Sequence, residues 1–440
     1  MSASPIATQP DVPAFVVPPE NLVPVSDYPA HMAEIPPSRM FLIREALGTY
    51  KARFGKDAIT YDASQGDGGA SLPGVPAEIL QRALALQLEH GSAYDQPFGT
   101  AQFRKASAEL YWKLDPTTGW GENNIIFTQG GRDGLQKAYS AMMHLGAKES
   151  GSVMVVSRVP WISYNWGPYA LGLNVMLAPG RPEQAWAYTP EAIRACVATA
   201  LESGRKIAGI VITSPDNPTG RIATLEEQAE LAHAALDAGI PYVLLDWMYH
   251  WITENGPYDL NAFLRMFTPD EREHLIVIDG LTKSVGASNI RAAQLLAGKQ
   301  VIRFITSQAS HSVIPSFFAQ AVAIAAYEMG FENAARTIIE PTNRSRTVLQ
   351  KALTDAGLEF ISGGGYYAFI NCGEHIRAGG LPDSEGLLKY LGAEYGIAVV
   401  PGVYFSEAAA DWIRFSYALD PELTAGACKR LVDGLNALKT

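Results

Sequence analysis

Residues 207–220 read IAGIVITSPDNPTG, an apolar run followed by a turn rich in proline and glycine. The run Ile207–Ile212 is typical of a strand that is buried on both faces. In the turn Ser214–Gly220, proline presets φ and glycine accepts backbone conformations that other residues resist. Taken alone, the NPTG sequence is as typical of an ordinary loop as of a binding site. Its meaning therefore depends on the elements around it.

Six other short apolar runs accompany this strand between about residues 86 and 320, and helical patterns separate them. They are Ile125–Phe127, Val153–Val156, Val175–Leu177, Tyr242–Leu245, Leu275–Ile278 and Leu295–Leu296. Between two of the runs, Thr224 to Glu227 form a capping-box pattern that begins a helix, and Gly239 ends it. Short apolar runs that alternate with helices predict an α/β fold with a mostly parallel sheet covered on both faces. Ligands bind such sheets at the carboxyl ends of the strands.

The length of the chain, 440 residues, suits one large domain and a smaller one. Nine of the 28 prolines lie in the first 40 residues, where they exclude a helix or a central strand. Helical periodicity begins near Phe41, and strands are predicted at Tyr367–Ile370 and Ala398–Val400. We therefore predict a Pro-rich arm over residues 1–40, a large domain over 86–320, and a small α/β domain formed by 41–85 together with 321–440.

Composition excludes several classes of protein. The hydrophobic content of 48% and the charged content of 18% do not fit a largely disordered chain, and the net charge of −11 argues against nucleic-acid or membrane partners. No stretch approaches the roughly 20 apolar residues of a membrane span. The cysteines, Cys196, Cys372 and Cys428, are too few and too far apart for a disulfide framework or a metal site. We expect a cytoplasmic protein without a metal.

Polar residues follow the ends of the predicted strands. Asn217 lies in the turn quoted above, Asp246 and Tyr249 follow the run 242–245, and Lys283 and Arg291 follow the run 275–278. Singly, an acid at a strand end caps helices and a lysine after a strand lies in solvent. Together they are the groups that pyridoxal phosphate needs: an amine for a Schiff base, a carboxylate for the pyridine nitrogen, an amide and a phenol for the ring oxygen, and an arginine for the phosphate.

On these residues the chain resembles the fold-type I, class I/II pyridoxal-phosphate-dependent aminotransferases, from about residue 60 to the end. The resemblance implies a large domain with a mostly parallel seven-stranded sheet and a smaller α/β domain. It makes Lys283 the Schiff-base lysine, Asp246 the partner of the pyridine nitrogen, and Asn217 and Tyr249 the partners of the ring oxygen. It also makes Arg291 a ligand of the phosphate.

Two further segments resemble parts of the family's cofactor site. Gly130 and Gly131, followed by Arg132, precede an amphipathic segment and resemble a phosphate turn, in which backbone N–H groups at a helix start hold the anion. Arg132 stands where a small or amide residue is commoner, and adds a second cation to this cofactor-binding turn. Trp161, in the sequence PWISY, resembles the aromatic residue that stacks on the cofactor ring.

The resemblance also covers the substrate and a second subunit. Tyr94, in YDQPFGTAQFR, resembles the tyrosine that reaches the phosphate of the partner, which implies a homodimer with shared active sites. Arg414 resembles the arginine that binds the substrate α-carboxylate, and Gly66 lies where a family segment closes over the substrate. An amino acid is the implied substrate, and the sequence does not name its side chain.

The sequence also departs from the family. Gly280 stands where a phosphate-binding serine is frequent, and QGDGGASLPG replaces the usual segment at residues 65–74. Aromatic residues crowd the predicted site: Trp247, Tyr249, Trp251, Tyr366, Tyr367 and Tyr404. The leading hypothesis is an aminotransferase that works through an external aldimine and a Cα carbanion. The alternative is a non-transaminating enzyme of specialised metabolism that uses the same carbanion for γ-elimination or replacement, cyclisation or carbon–carbon bond formation, for instance on S-adenosylmethionine or another large substrate.

Overall fold

The computed structural model describes Ile35, Arg39 and residues 42–439. The predicted Pro-rich arm therefore lies outside the described residues, apart from these first two. Arg39 forms an ion pair with Glu385. The first helix, Leu42–Phe54, confirms the helical periodicity predicted near residue 41.

A seven-stranded sheet is the largest sheet of the described chain. Its strands lie in the order Ile125–Thr128, Ala293–Ala297, Leu275–Gly280, Val243–Asp246, Ile207–Thr213, Val153–Val156 and Asn174–Leu177. Ala293–Ala297 runs in the direction opposite to the other six strands. The predicted α/β fold with a mostly parallel seven-stranded sheet is confirmed, and each predicted strand begins and ends within two residues of the observed one.

The apolar runs form strands because both faces of this sheet are buried. Leu275 and Val277 enter one hydrophobic core, whereas Ile276 and Ile278 enter another. Successive side chains of a strand point to opposite faces, so a run without polar residues fills both cores. Polar groups are thereby left to the strand ends, where Thr213 lies beside Asp246 in the register of the central strands.

Helices cover both faces of the sheet and connect its strands. The α-helices are Leu42–Phe54, Gly68–Ser71, Ala77–His90, Ala101–Ala106, Gly131–Ala141, Ile162–Tyr169, Pro190–Glu202, Leu225–Asp237, Leu260–Arg265, Pro269–Arg272, Leu281–Ser284, Lys299–Ala309, Phe317–Glu328, Phe331–Asp355, Gly373–Ala378, Ser384–Tyr390 and Pro421–Ala437. The predicted capping box is confirmed: Thr224 accepts from the N–H of Glu227, whose side chain accepts from the N–H of Thr224. Among the described residues, no helix combines the length and the apolar character that crossing a bilayer requires.

A second, antiparallel sheet of four strands lies in the C-terminal part of the chain. Its order is Val400–Pro401, Trp412–Ser416, Tyr367–Asn371 and Phe360–Ser362. The strand predicted through Ala398–Val400 is wrong in detail, because Ile397–Ala398 pairs instead with Tyr61–Asp62 in a parallel two-stranded sheet. One apolar run thus serves two sheets. The predicted domain boundaries stay a prediction.

The end of the strand Leu275–Gly280 is crowded by its antiparallel neighbour. The backbone of Gly280 is extended, with φ −177°, which any residue adopts. A Cβ atom there would lie 2.7 Å from the Cα and 2.5 Å from the Cβ of Ala293. A serine would not fit at this position without movement of the strand, which gives the departure noted in the sequence a steric reason.

We predict that Gly280→Ala lowers the free energy of unfolding by about 1–3 kcal/mol, because the added methyl group overpacks the sheet. Denaturant unfolding measures the change. Gly121→Ala is the matched control: its φ is also extended, −160°, and an added Cβ meets nothing within 4 Å. Equal stability of the two variants would contradict the steric explanation.

Candidate active site

Asp246 is a buried carboxylate at the carboxyl end of a central strand, with 5% of its surface exposed. Its Oδ2 accepts a hydrogen bond of 2.6 Å from the hydroxyl of Tyr164, and its Oδ1 accepts one of 3.0 Å from the N–H of Met248. Burial raises the pKa of this carboxyl and nearby Asp279 adds to the rise, while the two hydrogen bonds and Lys283 oppose it. The two donors thus favour the charged form that a protonated ring nitrogen requires.

Lys283 lies on the helical turn directly after the neighbouring strand. Its Nζ donates to the carbonyl oxygen of Gly66 and lies 5.7 Å from the centre of the Tyr249 ring. Burial lowers the pKa of this amine; Tyr367 and Asp67 oppose the lowering, and the charges of Arg414 and Arg132 add to it. A lowered pKa favours the neutral amine, which is the form that attacks a carbonyl carbon.

Arg414 brings the two sheets together. Its guanidinium is 3% exposed and donates from Nη1 to Oδ1 of Asn217 over 2.7 Å and from Nη2 to the carbonyl oxygen of Ser64 over 2.8 Å. Its Nε has no hydrogen-bond partner in the described part of the chain. The structure thus brings the predicted α-carboxylate ligand into contact with the predicted ligand of the ring oxygen.

Two tyrosines form a buried pair at the centre of the site. The hydroxyls of Tyr249 and Tyr367 lie 2.7 Å apart. Burial is the main cause that raises the pKa of Tyr249 well above its ordinary value, and the neighbouring Tyr367 is the second. The phenol of Tyr249 is therefore protonated at neutral pH, and either hydroxyl can donate in this bond. The hydroxyl of Tyr366, the next residue along the chain, donates to the backbone carbonyl of Lys283.

The predicted phosphate turn lies at the start of the 11-residue helix Gly131–Ala141. Gly130 has φ +83°, the left-handed region that favours glycine, and its Cα faces the guanidinium of Arg291. That guanidinium donates to the backbone carbonyls of Ser288 and Gln129, over 2.8 and 3.3 Å. Arg291 has no acidic partner among the described residues, so its charge is available to an anion at the helix start.

Arg132 and Trp161 lie on another side of this turn. The guanidinium of Arg132 is 5.5 Å from the centre of the Trp161 ring. Trp161 contacts Tyr164 edge to face, with ring centres 5.4 Å apart. Arg132 forms no hydrogen bond or ion pair with a side chain of residues 42–439, yet its charge lowers the pKa of Lys283. Arg132 is therefore a cation near Lys283 that has no acidic partner in the described part of the chain.

Tyr94 is the one predicted site residue that the structure leaves apart from the others within this chain. Its side chain is 92% exposed and lies in the loop that follows the helix Ala77–His90. Exposure is what a residue that serves a second subunit requires, so the assignment to a partner's site stays a prediction.

Sequence reasoning missed two residues that touch the centre of the site. Tyr164 lies three residues after Trp161, on the first turn of the same helix, but its bond to Asp246 joins residues 82 positions apart. The sequence marks Tyr367 only as one of the aromatic residues that crowd the predicted site. The continuous apolar run of its strand gives no sign that its hydroxyl meets Tyr249.

The residues present fit pyridoxal phosphate. A buried carboxylate with two donors suits the pyridine nitrogen, and an amine with a lowered pKa suits the aldehyde. A helix start with Gly130 in the left-handed region and Arg291 without an acidic partner suits the phosphate. No group of three or more His, Cys, Asp or Glu in the described part of the chain is placed to hold a metal ion.

A sequence model of the family Aminotransferase class I and II matches residues 61–431, and the chain belongs to this family. The aspartate aminotransferase of Bacillus subtilis (strain 168) is 25% identical over 358 residues, which are 81% of this chain and 87% of that protein. The aspartate/prephenate aminotransferase of Thermus thermophilus is 26% identical over 385 residues, 86% of this chain and 91% of that protein.

Solved structures show the same fold. The aspartate aminotransferase from Thermus thermophilus with maleate matches with a TM-score of 0.76 at 23% identity, over 94% of this chain and all of that one. An aminotransferase from Mycobacterium tuberculosis matches with a TM-score of 0.78 at 20% identity and the same coverage. The protein is a fold-type I, pyridoxal-phosphate-dependent aminotransferase, as predicted. The roles of its individual residues stay predictions.

We predict that Tyr164→Phe slows turnover about tenfold to a hundredfold, because a hydrogen bond to a charged group is worth about 1.5–3 kcal/mol. The bond lowers the pKa of Asp246, so its loss should move the acid limb of the pH–rate profile to higher pH. Steady-state kinetics across pH measure both effects.

Tyr188→Phe is the control for this variant, since that hydroxyl donates to the carbonyl of Val211, 2.7 Å away on a strand. If Tyr164→Phe and Tyr188→Phe had the same turnover and the same acid limb, the bond to Asp246 would have no part in catalysis.

Proposed function

We propose that the enzyme takes the amino group from an α-amino acid at the carboxyl edge of the seven-stranded sheet. Arg414 binds the α-carboxylate, Asp246 keeps the pyridine nitrogen protonated, and Lys283 holds the cofactor and moves the proton at Cα. The observation that carries this proposal is the buried guanidinium of Arg414, fixed by Asn217 in the same pocket as an amine of lowered pKa.

The bound cofactor supplies an electron sink for the Cα–H bond. Asn217 accepts from Arg414 through Oδ1, which leaves its amide nitrogen to donate to the ring oxygen. Arg291 and the backbone N–H groups at the start of Gly131–Ala141 hold the phosphate. These fixed contacts orient the substrate so that Lys283 reaches Cα.

We propose an acidic amino acid as the donor. In this proposal the phosphate and the α-carboxylate use Arg291 and Arg414, and Arg132 is left as a cation without an acidic partner among the described residues. A second carboxylate on the substrate matches that charge. Curated relatives from Bacillus subtilis and Geobacillus stearothermophilus carry the name aspartate aminotransferase, which supports the same class of substrate. In this proposal Arg132 binds the second carboxylate of the substrate and not the phosphate of the cofactor.

The test is a panel of aspartate, glutamate, alanine and phenylalanine, followed through the absorption of the cofactor. Transamination should leave the cofactor in its amine form with one equivalent of 2-oxo acid. Arg132→Gln should raise KM about tenfold or more for aspartate and leave alanine unchanged, because only aspartate has the second carboxylate.

Arg414→Lys is the matched comparison, and it should raise KM for every α-amino acid because an ammonium cannot bind both carboxylate oxygens. If Arg132→Gln raised KM equally for aspartate and alanine, or bound pyridoxal phosphate more weakly, Arg132 would serve the cofactor and not the substrate. Repeated turnover of the amino acid in the absence of a 2-oxo acid acceptor would contradict transamination.

We also propose a homodimer with shared active sites. Leu80, Leu84 and Leu88 are exposed at 37, 53 and 75%. Their spacing of four puts them on one face of the helix Ala77–His90, which leads into the loop of Tyr94. An exposed apolar stripe beside an exposed tyrosine fits burial against a second copy.

Mixed dimers test this arrangement. Lys283→Ala and Tyr94→Phe subunits should each be poorly active alone, and mixing them should restore part of the activity, because one site of each hybrid keeps both groups. Mixing Lys283→Ala with Asp246→Asn subunits is the control that should stay inactive, since those residues serve the same site of one chain. A fully active monomer in sedimentation would disprove the proposal.

We propose the cytoplasm as the location of the enzyme. Cys196, Cys372 and Cys428 are all free and buried. Burial raises the pKa of the Cys196 thiol to about 11 and that of Cys428 to about 12. Protonated, buried thiols suit a reducing compartment.

A further inference from the structure

Tyr367 touches more of the site than any role so far explains. Its ring centre lies 4.2 Å from the guanidinium carbon of Arg414, and its hydroxyl lies 2.7 Å from that of Tyr249. A Cβ atom on Gly66 would lie 3.0 Å from its Cζ. Tyr367 is buried, so these contacts are fixed by packing.

The register of the four-stranded sheet puts Tyr367 there. Tyr367 pairs with Ser416 and Phe369 pairs with Arg414 on the adjacent antiparallel strand. Tyr367 and Arg414 are therefore diagonal neighbours on one face of the sheet, within reach of a long or aromatic side chain. The pairing of these two strands fixes the position of Tyr367 relative to Arg414.

We propose that Tyr367 is a positioning residue that couples carboxylate binding at Arg414 to the phenol of Tyr249. The inference rests on the proposed function, in which Arg414 holds the α-carboxylate and Tyr249 donates to the ring oxygen. The ring and the hydroxyl of Tyr367 have separate tasks.

The hydroxyl acts through Tyr249. When Tyr249 donates its proton to the ring oxygen, its own oxygen is left to accept, and the Tyr367 hydroxyl is the donor within 2.7 Å. A phenol that accepts a hydrogen bond is a stronger donor in turn, because chains of hydrogen bonds polarise one another. Tyr367 thus strengthens the contact that stabilises negative charge on the ring oxygen.

The ring acts on Arg414. An aromatic face against a guanidinium attracts the cation and keeps water from that side. The Phe405 ring lies 5.3 Å from the same guanidinium carbon. The plane of the guanidinium is thereby set before the substrate arrives, so less freedom is lost on binding.

Several charged and titratable groups surround the phenol pair of Tyr249 and Tyr367. Arg414 and Tyr366 affect the pKa of Tyr249, and Asp67 and Arg132 join Tyr367 and Arg414 in affecting that of Lys283. Changing Tyr367 to phenylalanine leaves all of these groups in place. A spectral change in that variant therefore reports the missing hydroxyl.

Two variants separate the two tasks. Tyr367→Phe keeps the ring: the pH midpoint of the bound cofactor's absorption band should rise by about one pH unit, turnover should fall, and KM for the amino acid should stay unchanged. The midpoint rises because a weaker Tyr249 donor stabilises the charged ring oxygen less. Tyr367→Leu removes the ring as well and should raise KM about tenfold for substrates with an α-carboxylate, but not for a simple amine.

Tyr188→Phe is the control for loss of a buried hydroxyl outside the site. An unchanged midpoint in Tyr367→Phe would overturn the hydroxyl's task, and an unchanged carboxylate KM in Tyr367→Leu would overturn the ring's task. Tyr367→Met replaces the leucine variant if that protein does not fold. Failure of the proposed function is distinct, because wild-type enzyme would then give no oxo acid from any amino acid of the panel.

Discussion

The hydrogen bond from Arg414 to Asn217 joins a strand of the four-stranded sheet to the turn that follows a strand of the seven-stranded sheet. Burying a guanidinium is costly, and contacts to its nitrogens offset part of that cost. Nη1 and Nη2 of Arg414 donate to Asn217 and to the carbonyl of Ser64, the ring of Tyr367 lies 4.2 Å from its guanidinium carbon, and Nε is without a partner among the described residues. The same contact therefore fixes the side chains predicted to bind the α-carboxylate and the ring oxygen.

Burial acts in opposite directions on the two central ionisable groups. It raises the pKa of Asp246 and lowers that of Lys283, so in each case it favours the neutral form. For Lys283 the neutral form is the reactive one, and burial serves the chemistry. For Asp246 the proposed role requires the charged form, and the hydrogen bonds from Tyr164 and the N–H of Met248 oppose the rise in its pKa. Burial thus acts on both groups, but hydrogen-bond donors oppose its effect only at Asp246.

The sequence predicted the elements whose signals are local. Apolar runs predicted the strands, and the capping box at Thr224 predicted the start of a helix. The position directly after a strand indicated Lys283 and Asp246 as site residues. Contacts between distant segments left no local signal: the bond of Tyr164 to Asp246, the phenol pair of Tyr249 and Tyr367, and the division of the run near residue 398 between two sheets all depend on tertiary register. The role of Tyr94 depends on a second subunit and stays a prediction.

We predict that Lys283 bonds to the cofactor at this edge of the sheet, and chemical trapping tests this most directly. Borohydride reduction of the holoenzyme, followed by peptide mapping, should place the pyridoxyl group on Lys283, whose amine has its pKa lowered by burial. Lys283→Ala should carry no label. A pyridoxyl group on any other lysine, or full labelling of Lys283→Ala, would contradict the account.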